Sequence, residues 1–260
     1  MTRVVQWLVW IFVPLLAIAG WQIASTSARA VYFPPPSVIV GRMHEMWFAG
    51  PLSQVFLTDE ALRDLIPSLA RLGAGWAVAV SAGIALGVAL GRSATLSALV
   101  DPLVHFGRSV PPAALLPVFL LFFQVGTPMQ LAAIVYGVVW PVLINAIDGA
   151  RYVDVQYLET GRVFQLGAAQ RLTRIILPAA APKIFAGLRL SVSLALIMMV
   201  ISELYASSEG IGHRMREAEG SFDIPAMWAG IVLLGLLGVL LNAVFLAVER
   251  RTLRWHRTAA

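Results

Sequence analysis

A run of about 20 apolar residues has few ways to fold in lipid, because every backbone N–H and C=O must find a partner inside the protein. This chain carries six such runs, at about residues 7–24, 65–91, 99–123, 129–147, 188–206 and 226–248. They read as transmembrane helices. What lies between them is too short for a separate soluble domain, so residues 1–260 are expected to form one all-α membrane domain of about six transmembrane helices. Composition agrees. The chain is 59% hydrophobic and 13% charged, where soluble domains run near 25% charged.

The first run is read as a retained helix. Ala28-Arg29-Ala30 mimics a signal-peptide cleavage site, but the run before it is longer than a signal core, has Trp7 and Trp21 at its two ends, and precedes further spans. Phe33-Pro34-Pro35-Pro36-Ser37 must be extended. Val38 to Asp64 mixes charges with apolar residues and suits a segment lying at the membrane interface. In the second run Gly83, Gly87 and Gly91 recur on one helical face, which marks a packing surface for another helix. The third run opens with Asp101-Pro102, His105, Arg108 and Pro111-Pro112, and Gln124 follows its end at Phe123. Ionisable groups and prolines at that depth fit either a wall of a solute pathway or an interfacial lead-in helix. Arg108 and Gln124 are therefore pathway candidates.

Basic residues gather on the cytoplasmic side of membrane proteins. With six spans, one side holds Arg3, Arg92, Arg108, Arg151, Arg162, Arg171, Arg174, Lys183, Arg189, Arg250, Arg251, Arg254 and Arg257, thirteen of the nineteen Lys and Arg. Both termini and the segment at 150–182 are thus expected in the cytoplasm. This orientation also accounts for the pI near 10, with no need for a nucleic-acid partner.

Several chemistries are excluded. Cysteine is absent, which removes disulfides, thiolate metal sites and cysteine catalysis. The only lysine, Lys183, lies between Pro182 and Ile184, so no phosphate-cradling Gly-Lys-Ser/Thr loop exists. His44, His105, His213 and His256 are scattered, with no metal-ligand spacing, and no Gly-x-Ser-x-Gly occurs. No catalytic residue, bound metal or resident cofactor is expected. Glu203 alone approaches mid-membrane depth. It is a pathway candidate and the ionisable site of the rival reading, a self-contained ion-coupled carrier or channel. A structural role, such as a hydrogen bond to the Ser207–Gly212 turn, fits it better than substrate contact.

The longest polar interruption of the second half, Gln156 to Pro178, has helical logic. Val153, Tyr157, Gly161, Phe164 and Ala168 recur as an apolar stripe, Glu159 and Arg162 are spaced to pair, and Gly167 is placed to end the helix. A second short helix is expected from Arg171 to Leu177, stopping at Pro178. Such an element fits docking into a partner's groove, and equally a connector lying on lipid headgroups.

From Glu159 to Leu177-Pro178 the chain resembles the EAA loop of ABC-importer permeases. Glu159, Gly161, Ile175, Leu177 and Pro178 fall at the family's positions, while Thr160 replaces an alanine and Gln165 stands where glycine is expected. Leu86-Gly-Val-Ala-Leu-Gly-Arg92, Asp101-Pro102, Pro111-Pro-Ala-Ala-Leu-Leu-Pro117, Gly187-Leu-Arg189, Glu203-Leu204 and Gly210-Ile-Gly212 look like the nitrate/taurine/alkanesulfonate branch. The resemblance implies a type I importer permease in a bacterial inner membrane, paired with a second copy of itself and surrounded by lipid. It implies two cytoplasmic ATPase subunits carrying ATP and Mg, and an extracytoplasmic solute-binding protein. Glu159, Thr160, Gly161, Arg162, Gln165, Gly167, Ile175, Leu177 and Pro178 would form the coupling helix and its support. The substrate would be a small organic or inorganic anion.

Overall fold

The computed structural model describes the backbone over residues 3–28 and 31–257 and the side chains over 12–27 and 31–255. The cleavage-site mimic at 28–30 therefore lies outside the fully described residues. Among the described residues every regular element is helical: α1 Arg3–Ala28, α2 Pro36–Met43, α3 Asp59–Arg92, α4 Ala94–Ser109, α5 Leu116–Phe123, α6 Thr127–Arg151, α7 Val155–Val163, α8 Ala168–Arg171, α9 Leu177–Tyr205, α10 Ile211–Gly220, α11 Ile224–Thr252 and α12 Arg254–Arg257.

Among the described residues, four helical stretches are long and apolar enough to cross a membrane: Leu52–Arg92, Thr127–Arg151, Ala168–Tyr205 and Ile224–Thr252. The run at 99–123, expected as one span, is broken. α4 and the Pro112–Phe123 segment meet at 87°, because Pro111 and Pro112 supply no N–H to continue the ladder and force extended backbone before them. The fifth run also differs from expectation. Pro178 does not stop a helix there; it follows directly on a π-helical turn inside continuous helix, so the residue without an N–H falls where the bonding pattern changes. A π-helical turn at Leu172–Ile176 joins α8 to α9, so helix continues from Ala168 to Tyr205.

The chain divides into two compact units. One comprises residues 1–67 and 209–235. Within it Trp47 is fully buried and donates its indole N–H to Asp64 at 3.3 Å. Trp21, Phe33 and Trp228 form a ring cluster with centroids 5.0–5.3 Å apart. The segment expected at the interface, 38–64, is α2, a π turn at His44–Phe48, a loop, and the first turn of α3. Asp59 and Glu60 open that turn, where acids meet the positive end of the helix dipole.

The other unit comprises 68–208 and 236–260, and α6 runs through its middle. A β-carbon on Gly83 would lie 2.9 Å from Val142, one on Gly87 2.5 Å from Ala146, and one on Gly91 2.5 Å from the Ile147 carbonyl. The glycine stripe thus lets α3 lie almost backbone to backbone on α6. On its other side α6 meets α9: a β-carbon on Gly137 would lie 2.5 Å from Met198, and one on Gly187 2.7 Å from Asn145. Trp76 donates to Ser191 Oγ at 2.8 Å, tying α3 to α9 directly. Replacing Gly87 by leucine should cost ~1–3 kcal/mol or more through overpacking, read as a lowered thermal unfolding midpoint of the detergent-purified chain. A neutral effect of Gly87→Leu would contradict this contact.

Candidate functional site

The polar stretch after α6 is held from below and free above. Asp154 caps α7, its carboxylate accepting the Gln156 N–H at 2.9 Å. Val153 and Ile176 are buried in the same apolar cluster as Val142, Ala146, Ala150 and Ala180 of α6 and α9. Ile175 and Leu177 pack against that cluster. Gly161 is buried where α7 crosses the π turn, and a β-carbon there would fall 2.6 Å from Ile175 Cδ1. A small residue here leaves Ile175 its place, which a larger one would take only by pushing that side-chain end aside.

The stripe expected from Val153 to Ala168 does not form one face. Val153 and Gly161 turn inward, whereas Tyr157, Phe164 and Ala168 are exposed, together with Tyr152, Val155 and Val163. Glu159 and Arg162 are both exposed, and no ion pair joins them. Thr160 turns its hydroxyl back to the Gln156 carbonyl at 2.8 Å.

Gly167 does not end α7. The end is a Schellman turn in which Leu166 N–H bonds to Gly161 O and Gln165 N–H to Arg162 O, both at 2.9 Å. The left-handed residue of that turn is Gln165 itself, at φ 53°. The backbone at Gln165 therefore holds a conformation that glycine adopts without strain. Gly167 instead precedes α8, and its N–H is satisfied by the Gln170 side chain at 3.1 Å.

Thr160, Ile175 and Pro178 come together with Tyr152, Tyr157, Arg174 and Trp255 around a groove of ≈ 540 Å³. Lys183 stands 5.0 Å above the Tyr152 ring, a cation–π contact at the same end. Trp255 was not singled out by sequence, since nothing in a short C-terminal segment relates it to α7.

Among the pathway candidates, Arg108 and Gln124 are exposed on α4 and just after α5. Glu203 is fully buried. Ser68 donates to both its carboxylate oxygens at 2.8 and 2.9 Å, and Arg71 to one of them at 2.9 Å. Glu203 lies in the last turn of α9, where the dipole disfavours an anion, so a nearby guanidinium is what makes the site tolerable. Sequence reasoning missed Arg71, although an arginine within an apolar run was itself the signal.

Residues 79–254 match the family described as binding-protein-dependent transport system inner membrane component, and the chain belongs to it. Among curated relatives, it is 30% identical to a putative aliphatic sulfonates transport permease protein of Bacillus subtilis, over 97% of this chain and 89% of that one. It is 31% identical to a bicarbonate transport system permease protein of Synechococcus elongatus, over 94% and 90%. It is 29% identical to a taurine transport system permease protein of Escherichia coli, over 93% and 87%. Among solved structures, a chain of the MetNI methionine ABC transporter superposes with TM-score 0.62 at 18% identity, over 71% of this chain and 92% of that one, which establishes the fold. The protein is an ABC importer permease, a multi-pass inner-membrane subunit whose ATP-hydrolysing activity resides in partner subunits.

Two measurements check this geometry. Glu203→Ala leaves the Arg71 guanidinium buried without its carboxylate and should cost ~3–5 kcal/mol, seen as loss of folded protein in detergent; Glu203→Gln should lose less. Gln165→Gly relieves ~1–2 kcal/mol of left-handed strain against ~0.5–1 of extra backbone entropy. It should raise the unfolding midpoint by ~2 °C, and a lowered midpoint would argue against the left-handed turn.

Proposed function

We propose that two copies of this chain form the pathway of an ATP-driven importer for a small oxyanion, driven through residues 156–178. Each α7 enters a groove on a cytoplasmic ATPase subunit, and a solute-binding protein delivers substrate to the opposite face. The observation that carries this reading is the outward face of α7. Val155, Tyr157, Val163 and Phe164 are exposed on a short helix seated firmly underneath. Exposed apolar side chains flanked by Glu159 and Arg162 suit the helix-in-groove mode of protein recognition. Glu159, Thr160 and Arg162 supply its polar edge, Gly161 and Ile175 its seat, Gln165 and Gly167 its turn, and Leu177-Pro178 its junction with α9.

The anion assignment rests on the relatives, named for transport of aliphatic sulfonates, bicarbonate, taurine and nitrate. These solutes share a compact oxyanion group. Arg108, exposed at the end of α4, is the side chain best placed to attract one, with Gln124 as a second polar candidate. The cytoplasmic placement of α7 and of both termini rests on the excess of basic residues on that side.

The same reading disfavours an ion-coupled carrier built on Glu203. A coupling carboxylate must exchange its proton or cation with water, and Glu203 is buried against Arg71 and Ser68. For coupling to do work, the ATPase pair must prefer different permease states with and without ATP, because docking of equal strength in both shifts nothing.

Deleting residues 158–167, or substituting Phe164→Asp, should lower ATP-dependent uptake in cells by tenfold or more while the chain still reaches the membrane. That is the loss typical of a central anchor. Uptake at the unsubstituted level with normal ATPase association would sink the proposal.

A further inference from the structure

We infer that a groove between α3, α4 and α6 holds an anionic phospholipid, its phosphate between Arg92 and Arg151 and one acyl chain along α4. Such a site needs only a chain that spans a membrane, and it stands apart from the importer reading above.

Leu86 and Ala89 of α3, Leu96 and Leu103 of α4, and Trp140 of α6 line a groove of about 410 Å³. Leu90, Val104 and Leu143 belong to a buried cluster that makes its floor. Leu86, Leu96 and Leu103 are exposed along the rim. From Leu96 to Val104 the groove follows α4 for about 12 Å, against the ~15 Å of hydrocarbon in one leaflet.

Leu90 also lines a second recess of about 470 Å³, together with Arg92, Ala94, Ser97, Asp101 and Arg151. At this end α3 closes at Arg92, α6 closes at Arg151, and α4 begins at Ala94. The two arginines are neighbours because of Gly91. A β-carbon there would lie 2.5 Å from the Ile147 carbonyl and 3.2 Å from the Arg151 nitrogen, so the last turns of α3 and α6 meet through backbone. Arg92 donates to the Ala150 carbonyl at 3.1 Å and has no carboxylate partner among the described residues. Arg151 donates to the Ser97 hydroxyl and lies 4.0 Å from Asp101, which accepts from Ser97 at 3.1 Å. Two guanidiniums against one carboxylate leave the recess positive.

A cation in the last turn of a helix is ordinary, since it meets the negative end of the dipole. What sets this pair apart is the apolar groove that opens from it. An occupant must bring an anion and a hydrocarbon chain to adjoining places, and at a membrane boundary a phospholipid brings both. A second copy seated on the same patch about a two-fold axis would bring Arg92 and Arg151 toward their own equivalents, and like charges repel. The expected cytoplasmic placement of both arginines sets the site in the leaflet whose anionic lipids attract basic residues.

The test takes the full chain purified in mild detergent. It is titrated with phosphatidylglycerol, with phosphatidylcholine of the same acyl chains, or with inorganic phosphate, and bound molecules are counted by native mass spectrometry. The chain should hold phosphatidylglycerol more tightly than phosphatidylcholine, and inorganic phosphate should not displace it. Arg92→Gln should weaken phosphatidylglycerol binding about fivefold and narrow its preference over phosphatidylcholine, while Arg92→Lys should keep both. Ala94→Glu places an acid in the first turn of α4, where the helix favours one. It should act as Arg92→Gln does, and covers the case in which that variant fails to fold. Ala89→Trp, which fills the apolar groove, should weaken binding of both lipids. Unchanged phosphatidylglycerol binding in Arg92→Gln and Ala94→Glu overturns the site. Unchanged binding in Ala89→Trp reduces the lipid to the general annulus and overturns it too. Displacement by inorganic phosphate identifies an anion site without a chain, and a dimer that dissociates in Ala89→Trp identifies a contact between copies; either result overturns the proposal.

Discussion

Two helices in hydrocarbon gain little by burying apolar side chains against each other, because lipid tails solvate those side chains equally well. What holds α6 between α3 and α9 is therefore shape. Gly83, Gly87 and Gly91 remove the atoms that would keep α3 away, and Gly137 and Gly187 do the same toward α9. Contacts this close multiply van der Waals pairs that are individually worth only ~0.1–0.2 kcal/mol. The same apolar cluster runs on without a gap from Val142 and Ala146 to Val153 and Ile176 at the foot of α7. A well-packed interior transmits displacement because it barely compresses. α7 is thus rigidly connected to the two helices on which it stands.

That connection gives the unusual turn at Gln165 a physical reading. The seat of α7 is fixed by Gly161 on Ile175, and its end by two hydrogen bonds of the Schellman turn. Glycine at the left-handed position would relax the turn and also loosen the unfolded chain. Glutamine keeps the same hydrogen bonds at a modest cost in strain. The geometry survives the substitution because backbone hydrogen bonds, and no side chain, define it.

Much of this was legible in sequence, for reasons specific to each element. The glycine stripe showed because its period matches a helix face, and the apolar runs showed because lipid demands their length. The turn was misplaced at Gly167, since a left-handed glutamine leaves no compositional mark. Pro178 reads as a stop, yet the helix passes through it by way of a π turn that carries no sequence signal. The stripe on α7 divided because periodicity shows which residues share a face, not which neighbour covers them; Ile175 covers Gly161, while Phe164 is left bare. Arg71 lies within an apolar run, and that position is the signal that sets it against Glu203.

The Arg71–Glu203 pair bears on both energy and substrate. A lone carboxylate in the membrane would repel an oxyanion, with a field that weakens slowly where the dielectric constant is low. With a guanidinium nitrogen 2.9 Å away and a serine hydroxyl on both oxygens, the charges oppose each other. Their combined field falls off faster than that of either ion. The pair is costly to assemble in a dry environment and more costly to break, so it persists as a fixture and not as a group that loads and unloads an ion. A fixed pair supplies no driving force. The exposed apolar side chains of α7 stand instead on a seat continuous with α6 and α9.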